Sequence, residues 1–234
     1  MRAALNATLV AMLLSASPIY ATARAATPDV AGHWNGMATS AIGVQNLGLD
    51  FGRLPDHSLR GALTADGVNG LALASVRQEG EVLRFAFGSN SFEGRLDANG
   101  KTLTGLLSTP QGDASVSLTR DGEAQFAPTP DNARVEPRMV GVWEGAIDAG
   151  GRHLRVRLTL ANRPDGHGDG LFASLDEGLD LPAAISLDGG KLILGVPTVE
   201  GVWEGSLDPT GDALVGSYSQ RGFTFPLNLQ RVKN

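Results

Sequence analysis

From His153 to Leu160 the chain alternates without an error: Leu154, Val156, Leu158 and Leu160 fall on one side, and His153, Arg155, Arg157 and Thr159 on the other. A period of two puts successive side chains on opposite faces of a strand, so the stretch reads as β-structure with one buried face. The pattern recurs through residues 139–232, in Trp143-x-Gly145-x-Ile147, Leu171-x-Ala173-x-Leu175, Ala184-x-Ser186, Leu192-x-Leu194-x-Val196, Trp203-x-Gly205-x-Leu207, Leu214-x-Gly216-x-Tyr218 and the run Phe223, Phe225, Leu227, Leu229. That makes about eight strands. The segments between them, DAGG at 148–151, RPDGHGDG at 163–170, DGG at 188–190, DPTG at 208–211 and QRG at 220–222, consist of residues that favour tight turns. Consecutive hairpins, hence an antiparallel meander, are the only simple way to join runs so short.

Residues 30–120 follow the same plan. The stretch from Ser91 to Ser108 lines up with that from Val202 to Ser219, so that Phe92 stands for Trp203, Gly94 for Gly205 and Gly105 for Gly216, and the segment ending at Arg120 matches the one ending at Arg231. All three tryptophans lie in a G-x-W-x-G pentapeptide, at 32–36, 141–145 and 201–205. The chain is therefore an internal duplication: an all-β protein of two tandem antiparallel meanders of about eight short strands each. The expected organisation is a leader at 1–25, a first unit at 26–120, a linker at 121–138 with three prolines, and a second unit at 139–234.

The leader reading rests on Arg2, the apolar run Leu9–Leu14 and the small residues Ala21–Ala25, the order of a cleaved secretory signal. The run is too short to span a bilayer as a helix, and no integral membrane segment is expected after cleavage. A periplasmic or secreted protein is implied. The formal charge of −6 falls to −8 once Arg2 and Arg24 leave with the leader, and the sequence holds no basic cluster, so nucleic acid is not an expected partner. With no cysteine, stability must come from packing and sheet hydrogen bonds.

In W-x-G the indole and the second glycine point to the same face, which lets a bulky ring lie over a residue with no side chain, or lets the strand bend where a sheet closes. A G-x-W in the first strand, a meander of about eight strands and a cationic residue closing the last one together resemble the plan of lipocalin-type barrels. The resemblance implies that Arg120 packs across Trp34 and Arg231 across Trp143. It gives Trp34, Gly36, Trp143, Gly145, Trp203, Gly205, Arg120 and Arg231 structural roles. Each unit has only about 90 residues and strands of about six, so a barrel filled by its own side chains is expected over a hollow one. The second unit also resembles the small β domain that precedes the catalytic domain of exported bacterial α/β-hydrolases of the esterase and acyl-peptidase type. No G-x-S-x-G and no βαβ region accompany it here. The resemblance thus implies an accessory module, and no enzyme activity is expected.

Candidate chemistry is sparse. His33, His57, His153 and His167 are scattered, and the alternation turns His33 and His153 toward solvent. Asp165-Gly166-His167-Gly168-Asp169 is the most metal-like stretch but lacks further ligands and reads as a hairpin turn; no metal and no cofactor are expected. Asp176 and Glu177 read as loop residues. Inward-facing Phe85, Phe87, Leu192, Leu194, Tyr218 and Phe225 are the candidate lining of an apolar pocket if a barrel opens at one end. The leading expectation is an exported, non-catalytic binding or interaction module working beside a periplasmic hydrolase, with an unidentified protein or a small apolar ligand as partner. The alternative is a lipocalin-like carrier of a small hydrophobic molecule.

Overall fold

The computed structural model describes residues 27–127 and 130–233; the leader expected at 1–25 lies outside the described residues. Two nine-stranded antiparallel sheets, one per unit, account for the fold. The first contains β1 (Gly32–Ser40), β2 (Gly43–Arg53), β3 (Leu59–Ala65), β4 (Val68–Ala72), β5 (Ala74–Glu79), β6 (Val82–Phe87), β7 (Asn90–Leu96), β8 (Thr102–Thr109) and β9 (Gly112–Arg120). The second contains β10 (Gly141–Ala149), β11 (Arg152–Asn162), β12 (Gly168–Ser174), β13 (Leu179–Asp188), β14 (Lys191–Val196), β15 (Gly201–Leu207), β16 (Ala213–Gln220), β17 (Phe223–Pro226) and β18 (Leu229–Arg231).

Both sheets curl into small lipocalin-like barrels. In the second, β15 pairs with β14 and β16, and β18 pairs with β16 and β10, so the ladder runs round without an edge. In the first, β4 and β5 are two halves of one bent strand: β4 pairs with β3, β5 pairs with β6, and the Leu73 amide between them donates to the Gly61 carbonyl at 2.9 Å. Ser75, at φ 54°, marks the bend. Counting each bent pair once leaves eight strands per barrel. Several are longer than the six residues expected, with β2 and β11 reaching 11.

Each barrel has a floor, where its first strand starts and its last strand ends, and a mouth at the opposite end. Trp34, Trp143 and Trp203 are fully buried. Two strands run in the opposite phase to that expected. On β12 the buried ring is Phe172 while Leu171 is 36% exposed, and on β13 Leu181, Ala183 and Ile185 point inward. Gly168 and Gly170 share the inner face with Phe172, so the large-residue alternation of Leu171 and Ala173 traces the outer one.

The segment 121–138 is anchored on both barrels. Asp121 N–H donates to the His33 carbonyl at 2.7 Å and Gly122 accepts from His33 N–H at 2.8 Å, prolonging the β9–β1 ladder. Phe126 lies against Gly52 beneath the Arg60 guanidinium, 3.7 Å from its ring centroid. On the other side, Asn132 is buried, donating to the Gly168 and Ala183 carbonyls and accepting from Ile185 N–H at 2.8 Å, while Val135 and Met139 enter the second core. The barrels meet at their mouth ends. Asn69 donates to Glu200 at 3.3 Å, the Arg221 guanidinium lies over Gly67, and Gly88 abuts the Glu177–Gly178 turn.

Candidate functional site

The pentapeptide builds the floors, and its residues divide the work. Trp34 faces Arg120 across the β1–β9 ladder, and Trp143 faces Arg231 across β10–β18. The guanidinium carbons sit 4.7 Å and 4.0 Å from the indole centroids, the cation–π pairs that the lipocalin resemblance implied. Each arginine also gathers three carbonyls: Arg120 donates to Gly100 at 2.8 Å and to Ala31 and Asp29, and Arg231 donates to Gly211 and Val140, both at 3.0 Å, and to Arg138. Gly32 and Gly141, at φ 142° and 140°, pass so close to these guanidiniums that a Cβ would lie about 3 Å from a terminal nitrogen.

The second glycine serves two purposes. In β15, Gly205 faces Gly216 of β16, and the Trp203 indole lies across both; a Cβ at either would meet the ring at 2.5–2.8 Å. Gly94 and Gly105 form the same pair in the first barrel with the Phe92 ring across them, 2.7 Å from a would-be Cβ at Gly105 and nearer still to one at Gly94. In β1 and β10 the ring is elsewhere. There Gly36 makes room for the backbone of Ser117 and Leu118, and Gly145 for that of Asn228. None of these groups is left over for a ligand, and the floors are structural.

Of the other polar candidates, His33 departs most from expectation. Its side chain is only 17% exposed because the 121–127 segment lies over it. Nδ1 lies 2.8 Å from buried Asp50, Asn35 Nδ2 donates to Nε2 at 3.0 Å and to Asp121, and Asp50 also accepts from Gln125 N–H at 2.7 Å. The bonds from Asn35 to Asp121 and from Gln125 N–H to Asp50 tie the segment to this group. His153 pairs with Asp148, and His167 with Asp131, both at the surface. Asp165 accepts from His167 N–H in the turn that the sequence suggests. Among the described residues no three His, Cys, Asp or Glu side chains gather at metal-binding distances. Arg155 grips Asp176, through Nη2 at 2.6 Å and Nε at 3.0 Å, and holds its carboxyl below the usual carboxylate range; Glu177 accepts from Ser174 Oγ.

The six inward-facing candidates fall into two separate groups. Phe85 is buried, stacked on Phe92 at 4.7 Å with Phe51 at 5.9 Å, and Phe87 is half-buried beside it. Leu192 and Leu194 are fully buried, and Tyr218 stacks on Phe172 at 5.5 Å; Phe225 is half-buried opposite Tyr218. In the second barrel, then, these residues fill the interior up to the mouth.

The duplication shows what the first barrel does differently. The registers superpose position by position, because Leu103 faces Leu118 as Leu214 faces Leu229, in step with the tryptophan–arginine pairs. Four residues beyond the tryptophan, β10 presents buried Ile147 and β1 presents Ala38. Where the second barrel pairs Tyr218 with Phe225, the first pairs Leu107 with Ala114. Where Phe172 faces Leu158, Leu63 faces Leu49. A cavity of about 620 Å³ opens at the first mouth, lined by Ala38, Leu107 and Ala114 within and by the β1–β2 and β8–β9 turns at the rim. Hydrophobic periodicity marks all three as inward; only the register between the two copies marks them as small.

No protein-family model and no curated protein matches this sequence. Two solved structures are similar over most of their length. One is a protein of unknown function from the DUF3598 family of Nostoc punctiforme, 12% identical, with 86% of this chain and 96% of that one covered and a TM-score of 0.27. The other is a proposed outer membrane protein of Bacteroides fragilis, 9% identical, with 87% and 98% covered and a TM-score of 0.29. Neither likeness bears on activity, so the architecture of this chain rests on its own ladders: two tandem β-barrels, one filled and one open at the mouth.

Proposed function

We propose that the protein is an exported, non-catalytic binding protein that holds a small apolar molecule in the mouth of its first barrel. One observation carries the reading: a cavity of about 620 Å³, within the usual size of small-molecule sites, sits where the sister barrel is plugged by Ile147, Tyr218 and Phe225. Its inner wall is alanine and leucine, which offers an apolar group about 25 cal/mol of transfer free energy for each Å² removed from water. The periplasmic or secreted location rests on the leader-like residues 1–25, and a place beside an exported hydrolase rests on sequence resemblance alone.

The test restores the second barrel's side chains to the first. The neutral dye N-phenyl-1-naphthylamine should bind wild type saturably with enhanced fluorescence. A38I and A114F, which place the sister residues at matched positions, should each weaken it by tenfold or more while the circular dichroism spectrum is retained. Absence of dye binding, or binding untouched by both substitutions, removes the mouth as the site.

A further inference from the structure

The rim of the cavity differs in charge from the rest of the molecule. Two carboxylates, Asp66 on the β3–β4 turn and Asp113 at the start of β9, contribute to the lining, and no lysine, arginine or histidine does. Several carboxylates elsewhere on this barrel are paired: Asp29 with Arg53, Glu79 and Glu93 with Arg84, Glu81 with Arg95. Among the described residues Asp66 and Asp113 take part in no such pair. Arg221 of the second barrel reaches over Gly67, on the side of the mouth where the two barrels abut. The remaining polar rim is uncharged, with Gln45 and Gln111 side-chain amides and the Ser40 and Thr109 hydroxyls.

Both hydroxyls are already committed as donors, Ser40 Oγ to the Gly43 carbonyl at 3.3 Å and Thr109 Oγ1 to the Gly112 carbonyl at 2.8 Å. Each oxygen also accepts from a turn amide, Ser40 Oγ from Ile42 N–H at 3.3 Å and Thr109 Oγ1 from Gln111 N–H at 3.1 Å, so the hydroxyls serve the turns and the two carboxylates are the strong acceptors of the rim. Beside it, Ile42 and Val44 at the β1–β2 turn are 89% and 62% exposed, an apolar lip continuous with the cavity. A ligand matched to this arrangement has an apolar end that fits between Ala38 and Ala114 and a head that donates hydrogen bonds or carries positive charge. A carboxylate head is disfavoured, since two unpaired like charges face it across a partly water-excluded opening.

We infer that the first barrel selects amphiphiles with a cationic head, an apolar tail bearing an amine, over those with an anionic one. This rests on the reading of the mouth as a binding site. The experiment displaces bound N-phenyl-1-naphthylamine with three ligands of one tail length: decylamine, decanol and decanoate. Decylamine should compete at a concentration at least tenfold lower than decanoate, with decanol between them. D66N/D113N, changed only at exposed positions, should bring the three together. Raising the salt from about 0.01 M to about 1 M should do the same to wild type, because the Debye length shrinks from about 30 Å to about 3 Å. Decanoate competing as well as decylamine, or a preference indifferent to both charge removal and salt, overturns the inference while the apolar site stands. Dye binding with no displacement by any of the three also overturns it. If the dye itself does not bind, the site reading has failed first.

Discussion

At the scale of single residues, the glycines on the inner face are governed by what passes over them. Gly205 and Gly216 lie under the Trp203 indole, and a methyl group on either would have to displace a fully buried ring or an adjacent strand. Gly195, on the outer face of β14, has only Ala184 atoms within 4 Å of a would-be Cβ, the nearest at 3.7 Å, an ordinary contact. G216A should therefore cost about 3 kcal/mol, the upper end of what overpacking a core costs, whereas G195A should be neutral or stabilising by up to about 1 kcal/mol through reduced backbone freedom in the unfolded chain. Urea unfolding of the two variants reads the difference directly; equal losses would show that the indole does not require a bare partner. These correspondences were legible in the sequence. Order alone matched Phe92 with Trp203, Gly94 with Gly205 and Gly105 with Gly216, and the W-x-G spacing put the ring on the face of its second glycine; that the glycines face each other in pairs came from the ladders. The covering of His33 was not legible, because alternation says which way a side chain points and nothing of which distant segment then lies on top of it.

At the scale of elements, the turn before the penultimate strand recurs in both barrels and connects two features of the floor. Asp208 Oδ1 accepts from the backbone N–H groups of Gly211, Asp212 and Ala213, and Oδ2 from the Thr210 hydroxyl at 2.5 Å. The same turn supplies the Gly211 carbonyl that Arg231 holds. The Thr210 hydroxyl first, and then the backbone donors, push the Asp208 carboxyl down to about 2. Asp97, which accepts from Lys101 and Thr102 N–H in the first barrel, is lowered by the same kind of backbone donor. A depressed carboxylate contributes stability in full above its unfolded pKa, near 4, and loses it as the pH falls toward its folded value. Thermal midpoints measured between pH 6 and pH 2 should thus fall across the acid half of that range, and D208N should be less stable at neutral pH with a shallower acid slope. A D208N profile parallel to wild type would place the acid sensitivity elsewhere. Strand existence and turn positions were readable here, but the phase of β12 was not, because its inner glycines made the outer face look the more hydrophobic one; on β13 the inward alternation Leu181-x-Ala183-x-Ile185 is present in the sequence, and the reading Ala184-x-Ser186 took the wrong register.

For the whole molecule, no β ladder among the described residues passes from one barrel to the other, and the seam between them includes the Asn69–Glu200 contact and the Arg221–Gly67 approach. Trp34 is fully buried in the first barrel, and Trp143 and Trp203 in the second. Scanning calorimetry should resolve two transitions, and N-phenyl-1-naphthylamine should raise only the one belonging to the first barrel, because a ligand stabilises the unit whose folded form it binds. A single transition moved as a whole by the dye would mean that the seam couples them. That there are two units was plain from the repeated pentapeptide. That one is open was not, since the difference lies in the combined size of Ala38, Leu107 and Ala114, residues far apart in the chain that become comparable with Ile147, Tyr218 and Phe225 only once the ladders align the two copies.

The closing of each floor also fixes an order of events. Arg120 and Arg231 stand at or near the ends of their units, yet each bonds to carbonyls about 90 residues earlier, Arg120 to Ala31 and Arg231 to Val140. As the polypeptide is threaded out from its amino end, the first barrel has every strand it needs as soon as Arg120 is free, while the second stays an unclosed ribbon until Arg231 has emerged. The open-mouthed barrel is therefore the one that can be complete while its filled sister is still being delivered.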